Sequence, residues 1–245
     1  MYEPLELQKD ALGHQYNVLA AAHKPVPKEF LDNYTHQKDS LNIKEWKLLS
    51  DYIKTHPDSY VALWELVRQF EDSYQDVFPA MFKFFSKDIR NSYTGKVLNE
   101  KMKQARMVAI GAVFPALTLT GANRKPAKIK PNAHKYTLVD FWFSHCSACI
   151  RQFDELKGLY AKYKDKGFVV AGVSIDGESD VPAWKDVIVK YQLPWEQYLD
   201  LNGKNAIRLS IDGYPTNFLL DSEGRIVHRN IDLETLNYFL QSKLN

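Results

Sequence analysis

The chain has 245 residues, 45% of them hydrophobic and 25% charged, with a formal net charge of +2. The length suits one large domain or two modest ones, and the composition is that of an ordinary soluble protein. The near-neutral charge argues against a dedicated nucleic-acid binder, and no apolar run approaches the roughly 20 residues needed to span a bilayer. The densest basic run, Arg124, Lys125, Lys128, Lys130 and Lys135, reads as a solvated loop. The opening MYEPLELQKDALGHQY lacks the basic and apolar regions of a secretory signal. Location therefore reads two ways: cytoplasmic if the chain is complete, periplasmic or envelope-attached if an export segment has been removed.

Residues 1 to 107 read as helical. Asn42 and Glu45 have the spacing of a capping box before IKEWKLLSDYI, where Ile43, Trp46, Leu49 and Ile53 recur at helical intervals. His56 and Pro57 should stop that helix, and Asp58 should cap the next. In SYVALWELVRQF the stripe is Val61, Trp64, Val67 and Phe70, followed by a cluster of Phe78, Phe82, Phe84 and Phe85. Such stripes are read as packing surface, and no chemistry is assigned to this half.

From residue 108 to 245 the pattern changes. GAVFPALTL, YTLVDFWF, FVVAGVSI, NFLLD and RIVHR are short β-branched or aromatic runs bounded by turn residues. Helical patterns lie between them: CIRQFDELKGLYAKYK, then VPAWKDVIVKYQ opened by Asp180, then LETLNYFLQSKL opened by Asp232. Alternation of strand and helix implies an α/β sheet with helices on its faces. TLVDFWF and FVVAGVSI are apolar nearly throughout, as central strands are. NFLLD and RIVHR, split by SEG, read as an antiparallel hairpin.

FWFSHCSACIRQF holds both cysteines, Cys146 and Cys149. A disulfide closing so short a loop constrains little of the unfolded chain, so the pair calls for chemistry or for chance. Cys146 follows a strand and precedes a helix, where unpaired N–H groups and the helix dipole favour a thiolate. Cys149, one turn on, can attack a mixed disulfide formed at Cys146, which is thiol–disulfide exchange. Half a zinc site has the same spacing, but it needs two further ligands and His145 is poorly placed to be one. An inert pair is the remaining alternative.

Asp140 stands within the apolar run LVDFWF. If it is buried, desolvation raises its pKa towards neutrality and suits it to exchange protons with a nearby thiol. The competing reading is an outward-facing Asp on an edge strand. Pro215 precedes a strand, and local pattern alone favours an ordinary trans bond after Tyr214.

These motifs together resemble the thioredoxin superfamily, and most closely its TlpA/ResA-like thiol–disulfide oxidoreductases. The points of contact are GAVFPALTL, LVDFWFSHCSAC, GVSID and YPTNFLLDSEGRIV, in the family's order across residues 108 to 245. The helical half is similar to the region preceding this domain in proteins of Bacteroidetes type. The resemblance implies a thioredoxin-like mixed sheet flanked by helices, with an N-terminal β-extension and a central insert around residues 176 to 210. It implies that Cys146 attacks, that Cys149 resolves, that Asp140 is the buried acid, and that Pro215 is cis, against the local reading. Tyr214, His145 and Trp142 become the substrate-facing candidates beside Pro215. Clients would be disulfide-bearing proteins, with a membrane or soluble thiol donor, no nucleic acid, no metal, and no cofactor beyond the redox-active pair.

This sequence departs from the family at His145, where Trp is common, at Ala148, where Pro is usual, and at Tyr214, which is bulkier than the usual residue. Two other functions compete with the oxidoreductase. A peroxiredoxin-like peroxidase would have Thr or Ser three residues before its cysteine, where this chain has Phe143. A non-catalytic thioredoxin-fold binding module would keep the fold and lose the reactive thiol.

Overall fold

The computed structural model describes residues 3–21, 27–72 and 74–244. The chain divides into two compact units, Met1–Met102 and Lys103–Asn245. The first is helical: α1 (Glu3–Ala20), α2 (Lys28–Thr55), α3 (Tyr60–Asp72), α4 (Phe78–Lys83), α5 (Lys87–Asn91) and α6 (Tyr93–Met107), the division between units falling within α6.

Helix α2 runs unbroken through Asn42, so the expected capping box does not form. Glu45 is instead buried and accepts from Lys9 of α1 and from Arg68 of α3, the latter at 3.0 Å. A carboxylate taken out of water needs such cations, and their sequence separation hides them from any local reading. The helix stops at Thr55 before His56 and Pro57, as expected. Ser59, rather than Asp58, caps α3: its Oγ accepts from the Ala62 N–H at 3.2 Å. The buried stripe of α3 is Ala62, Leu63 and Leu66, while Val61 and Trp64 are exposed. Val67 and Phe70 are half-buried against the same core, so the expected stripe holds at its second half and fails at Val61 and Trp64, where the helix is apolar on an adjoining face. Leu49, Ile53, Phe78, Phe82 and Phe85 do form core, and Phe84 and Ile43 are exposed.

The second unit is built on a seven-stranded sheet in the order β2-β1-β5-β4-β3-β6-β7. Its strands are β1 (Leu119–Gly121), β2 (Pro126–Ala127), β3 (Tyr136–Trp142), β4 (Phe168–Ser174), β5 (Glu196–Leu199), β6 (Thr216–Asp221) and β7 (Ile226–Arg229). β3 pairs in parallel with β4, and β4 with β5; β3 pairs antiparallel with β6, and β6 with β7. The helices are α7 (Ser147–Tyr163), α8 (Val181–Lys190), α9 (Lys204–Arg208) and α10 (Leu233–Leu244). Of GAVFPALTL only Leu119 enters β1, and Val113 makes a single bridge to Arg225. Pro115 has no N–H to give a ladder, which limits pairing along this run. The β1–β2 hairpin joins the sheet through β5, which comes from the central insert.

Alternation along the central strands separates two cores. Leu138 and Trp142 of β3, Val170 of β4 and Leu219 of β6 face α7 and α10. Val139, Phe141, Val173 and Phe218 face the other way, towards Ala206, Leu209 and Ile211. Asp232 caps α10, its carboxylate accepting from the Thr235 N–H at 2.8 Å. Asp180 precedes α8 but makes no such bond.

Two glycines separate tight packing from mere helix weakening. A Cβ on Gly95 would stand 2.2 Å from the Ile89 carbonyl oxygen, whereas one on Gly158, exposed within α7, would meet nothing within 4 Å. Gly95→Ala should therefore destabilise the helical unit by about 2–4 kcal/mol, and Gly158→Ala should stabilise its own unit by about 0.5–1 kcal/mol. Urea denaturation followed by circular dichroism measures both, and equal effects of the same sign would refute this packing.

Candidate active site

Strand β3 carries the chain into the sheet centre and delivers Cys146 to the first turn of α7. Cys146 is the helix N-cap, and its Sγ accepts the Cys149 N–H at 3.2 Å. This is one of the amides that a helix start leaves without an intrahelical partner, so the sulfur sits where negative charge is favoured. The sulfurs of Cys146 and Cys149 are bonded to one another at 2.01 Å. Among the described residues no group of three or more His, Cys, Asp or Glu side chains gathers as a metal site.

The pair is more enclosed than the sequence led us to expect. Cys146 is 5% exposed and Cys149 2%, while His145 and Ser147 on either side of Cys146 are open to solvent. Taken as whole residues, Cys149 is slightly the more enclosed of the two. His145 lies 3.6 Å from the Asp180 carboxylate, an exposed pair of little energetic weight.

The loop ahead of the pair is pinned by a carboxylate. Buried Asp176, the last residue of GVSID, accepts from the Ser144 N–H at 2.9 Å and from the Ser144 hydroxyl at 2.7 Å. The Ser174 hydroxyl adds a third bond at 2.6 Å. Three donors on one buried carboxylate meet the need that its burial creates. They tie the β3–α7 loop to the end of β4, two residues from Cys146.

Asp140 is 6% exposed and points to the same sheet face as Trp142, the face that carries both cysteines. Burial, with no charge contributing, pushes its carboxyl from 3.8 up to about 7. That displacement corresponds to roughly 4 kcal/mol at about 1.4 kcal/mol per pH unit. The edge-strand alternative fails, because β3 is paired on both sides.

Trp142 requires a correction. It is 1% exposed and packs edge-on against Phe153 of α7 at 5.3 Å, so it belongs to the core that holds the cysteines and offers no surface to a substrate. Its place beside the wall of the site is taken by Phe143, which sequence reasoning passed over as a contact. Phe143 meets Tyr214 edge-to-face at 5.6 Å. The Tyr214–Pro215 bond is cis, which corrects the local reading and agrees with the family resemblance. Tyr214 is half-buried; desolvation, then Asp200 and Asp212, raise its hydroxyl above the ordinary range.

A buried disulfide at a helix N-terminus, a buried acid in the central strand on the same sheet face, and a cis proline at the start of β6 define a thioredoxin-type redox site. Residues 110–229 match the AhpC/TSA family. The chain is 28% identical over 126 residues to a thiol-disulfide oxidoreductase ResA of Bacillus cereus, a match covering 51% of this chain and 72% of that protein. Among solved structures, it is 32% identical to the thioredoxin domain of a thiol-disulfide oxidoreductase from Bacteroides vulgatus, with a TM-score of 0.51. That match covers 56% of this chain and 99% of the other. A thiol:disulfide interchange protein from a Bacteroides species is 33% identical, with a TM-score of 0.51, covering 56% and 91% of the two chains. The chain belongs to the thioredoxin superfamily and is a thiol–disulfide oxidoreductase of the ResA and TlpA-like kind.

The buried acid sets a pH dependence. The folded state holds the Asp140 proton up to about pH 7, whereas the unfolded chain releases it near 3.8. Between those values the unfolded state binds fewer protons, so stability falls as pH rises and levels off above 7. Asp140→Asn should flatten that fall and make the oxidised protein more stable at pH 8 by about 2–4 kcal/mol. Denaturant midpoints collected from pH 4 to 8 provide the check; identical slopes for the two proteins would mean Asp140 is not the group responsible.

Proposed function

We propose that the protein reduces disulfides in client proteins outside the cytoplasm, with Cys146 as the attacking thiol and Cys149 as the resolving thiol. The observation that carries this reading is the disulfide between them at the start of α7. In the reduced protein the Cys146 thiolate attacks one sulfur of a client disulfide, forming a mixed disulfide and expelling the client's other sulfur as thiolate. Asp140, ionised, accepts the proton of Cys149. The Cys149 thiolate then attacks Cys146, the client leaves with its second thiol free, and two electrons have passed from the protein to the client. The oxidised pair that remains needs an external dithiol, soluble or membrane-borne, to restore it. The two sulfurs carry both electrons, so no further cofactor enters.

Tyr214 and cis Pro215 lie at the start of β6, and Phe143 packs on the Tyr214 ring. In this reading the Tyr214 backbone pairs with the client segment, and exposed His145 lies on the side from which clients approach. An extracytoplasmic setting is supported by the chemistry, since protein disulfides persist where the surroundings are oxidising. No helix among the described residues is long and apolar enough to cross a membrane.

Two substitutions test the division of labour. Cys146→Ser should abolish insulin reduction, and Cys149→Ser should accumulate mixed disulfides that a non-reducing gel resolves. Insulin reduction surviving in the Cys146→Ser protein would overturn the assignment.

A further inference from the structure

Strand register places four residues in one row across the sheet: Asn217 of β6, Asp140 of β3, Gly172 of β4 and Gln197 of β5. Residues in one row project from one face, so the three side chains share the face that holds the disulfide. Asn217 is already engaged, donating to the Ile231 carbonyl and accepting from its N–H, both at 3.0 Å. Gln197 is not. It is buried, and neither its Nε2 nor its Oε1 has a hydrogen-bond partner.

Where that amide sits explains the glycine. A Cβ on Gly172 would stand 2.4 Å from Gln197 Oε1 and 2.9 Å from Nε2, so the amide occupies the space a side chain at 172 would fill. Gly172 is the register partner of Asp140, and neighbouring strands lie about 4.8 Å apart, so the amide over Gly172 occupies the position next to Asp140 on this face. A buried amide with both ends unpartnered costs about 1–3 kcal/mol for each unmet group, a cost that an aliphatic side chain of similar size avoids. Stability therefore does not account for glutamine here. Of the other polar groups on this face, Ser174 is committed to Asp176 and Cys149 to the disulfide, while the Trp184 Nε1 in the same core also lacks a partner. No charged group contributes to the displacement of Asp140.

We propose that Gln197 is a positioning residue for the buried acid: its amide, laid over Gly172, donates from Nε2 to the Asp140 carboxylate once that group is ionised. It thereby sets the pH at which Asp140 takes up the proton of the resolving thiol. This rests on the proton-exchange role proposed above for Asp140. A donor to the charged form favours ionisation, so removing it raises the pH at which Asp140 titrates.

The test is a carbon-13 NMR titration of the Asp140 carboxyl in the oxidised full chain, labelled at aspartate, for the original protein and for Gln197→Met. Methionine fills the same volume without a donor. The Asp140 midpoint should rise by about one pH unit or more, a roughly tenfold weaker ionisation, with folding stability unchanged or improved. If Gln197→Met does not fold, Gly172→Ala replaces it, because the added methyl displaces the amide, and the same rise is expected. A midpoint near 7 in the original protein that the substitution leaves in place overturns the proposal for Gln197 alone. A midpoint near 4 in the original protein would instead remove the role of Asp140 on which the proposal stands.

Discussion

The site depends on one contact, the Cys149 N–H donated to the sulfur of Cys146 at the first turn of α7. A helix start leaves its first amides without partners, and here one of them is met by the sulfur proposed as the nucleophile. The surrounding structure serves to hold that sulfur in place. Strand β3 ends four residues before it, Asp176 fixes Ser144 in the intervening loop, and Trp142 and Phe153 fill the volume beneath. The clamp on Ser144 uses a buried carboxylate with three donors, so the loop is held by directed bonds as well as by packing.

The second constraint runs against stability. An acid in a central strand, displaced to about 7 by desolvation alone, makes the fold less stable above neutral pH than an apolar residue there would. Its neighbours do not relieve it with charge. Asn217 is spent on the β7–α10 connection, and Gly172 leaves room for an amide rather than a lysine or arginine. The row across the sheet thus keeps a carboxyl that titrates near neutrality on the face that also carries the disulfide, as the proposed proton exchange requires. The helical unit shows how the same problem is solved where no chemistry is assigned, with Glu45 buried between two cations.

Much of this was legible in the sequence because it is local. The nearly continuous apolar runs of β3 and β4, the strand-to-helix junction at Cys146 and the Asp232 cap of α10 follow from neighbours in the chain. The resemblance in GVSID and YPTNFLLDSEGRIV supplied the cis bond at Pro215 that local pattern argued against. What was missed depends on distant partners. Asn42 and Glu45 have capping-box spacing, but Glu45 is claimed by Lys9 and Arg68. Trp142 was a substrate-facing candidate through the resemblance, and only the sheet's facing shows it buried in the core that also holds the cysteines. Gln197 stands in a four-residue strand whose register with β4 no single-sequence pattern reveals.

The decisive quantity is the charge on one sulfur. Reduced Cys149→Ser protein, followed by ultraviolet thiolate absorbance across pH, isolates Cys146. If the amino end of α7 activates it, most of the signal will already be present at pH 7. A sulfur that ionises only around pH 8.5, as a free cysteine does, would contradict the account and leave a fold without its chemistry.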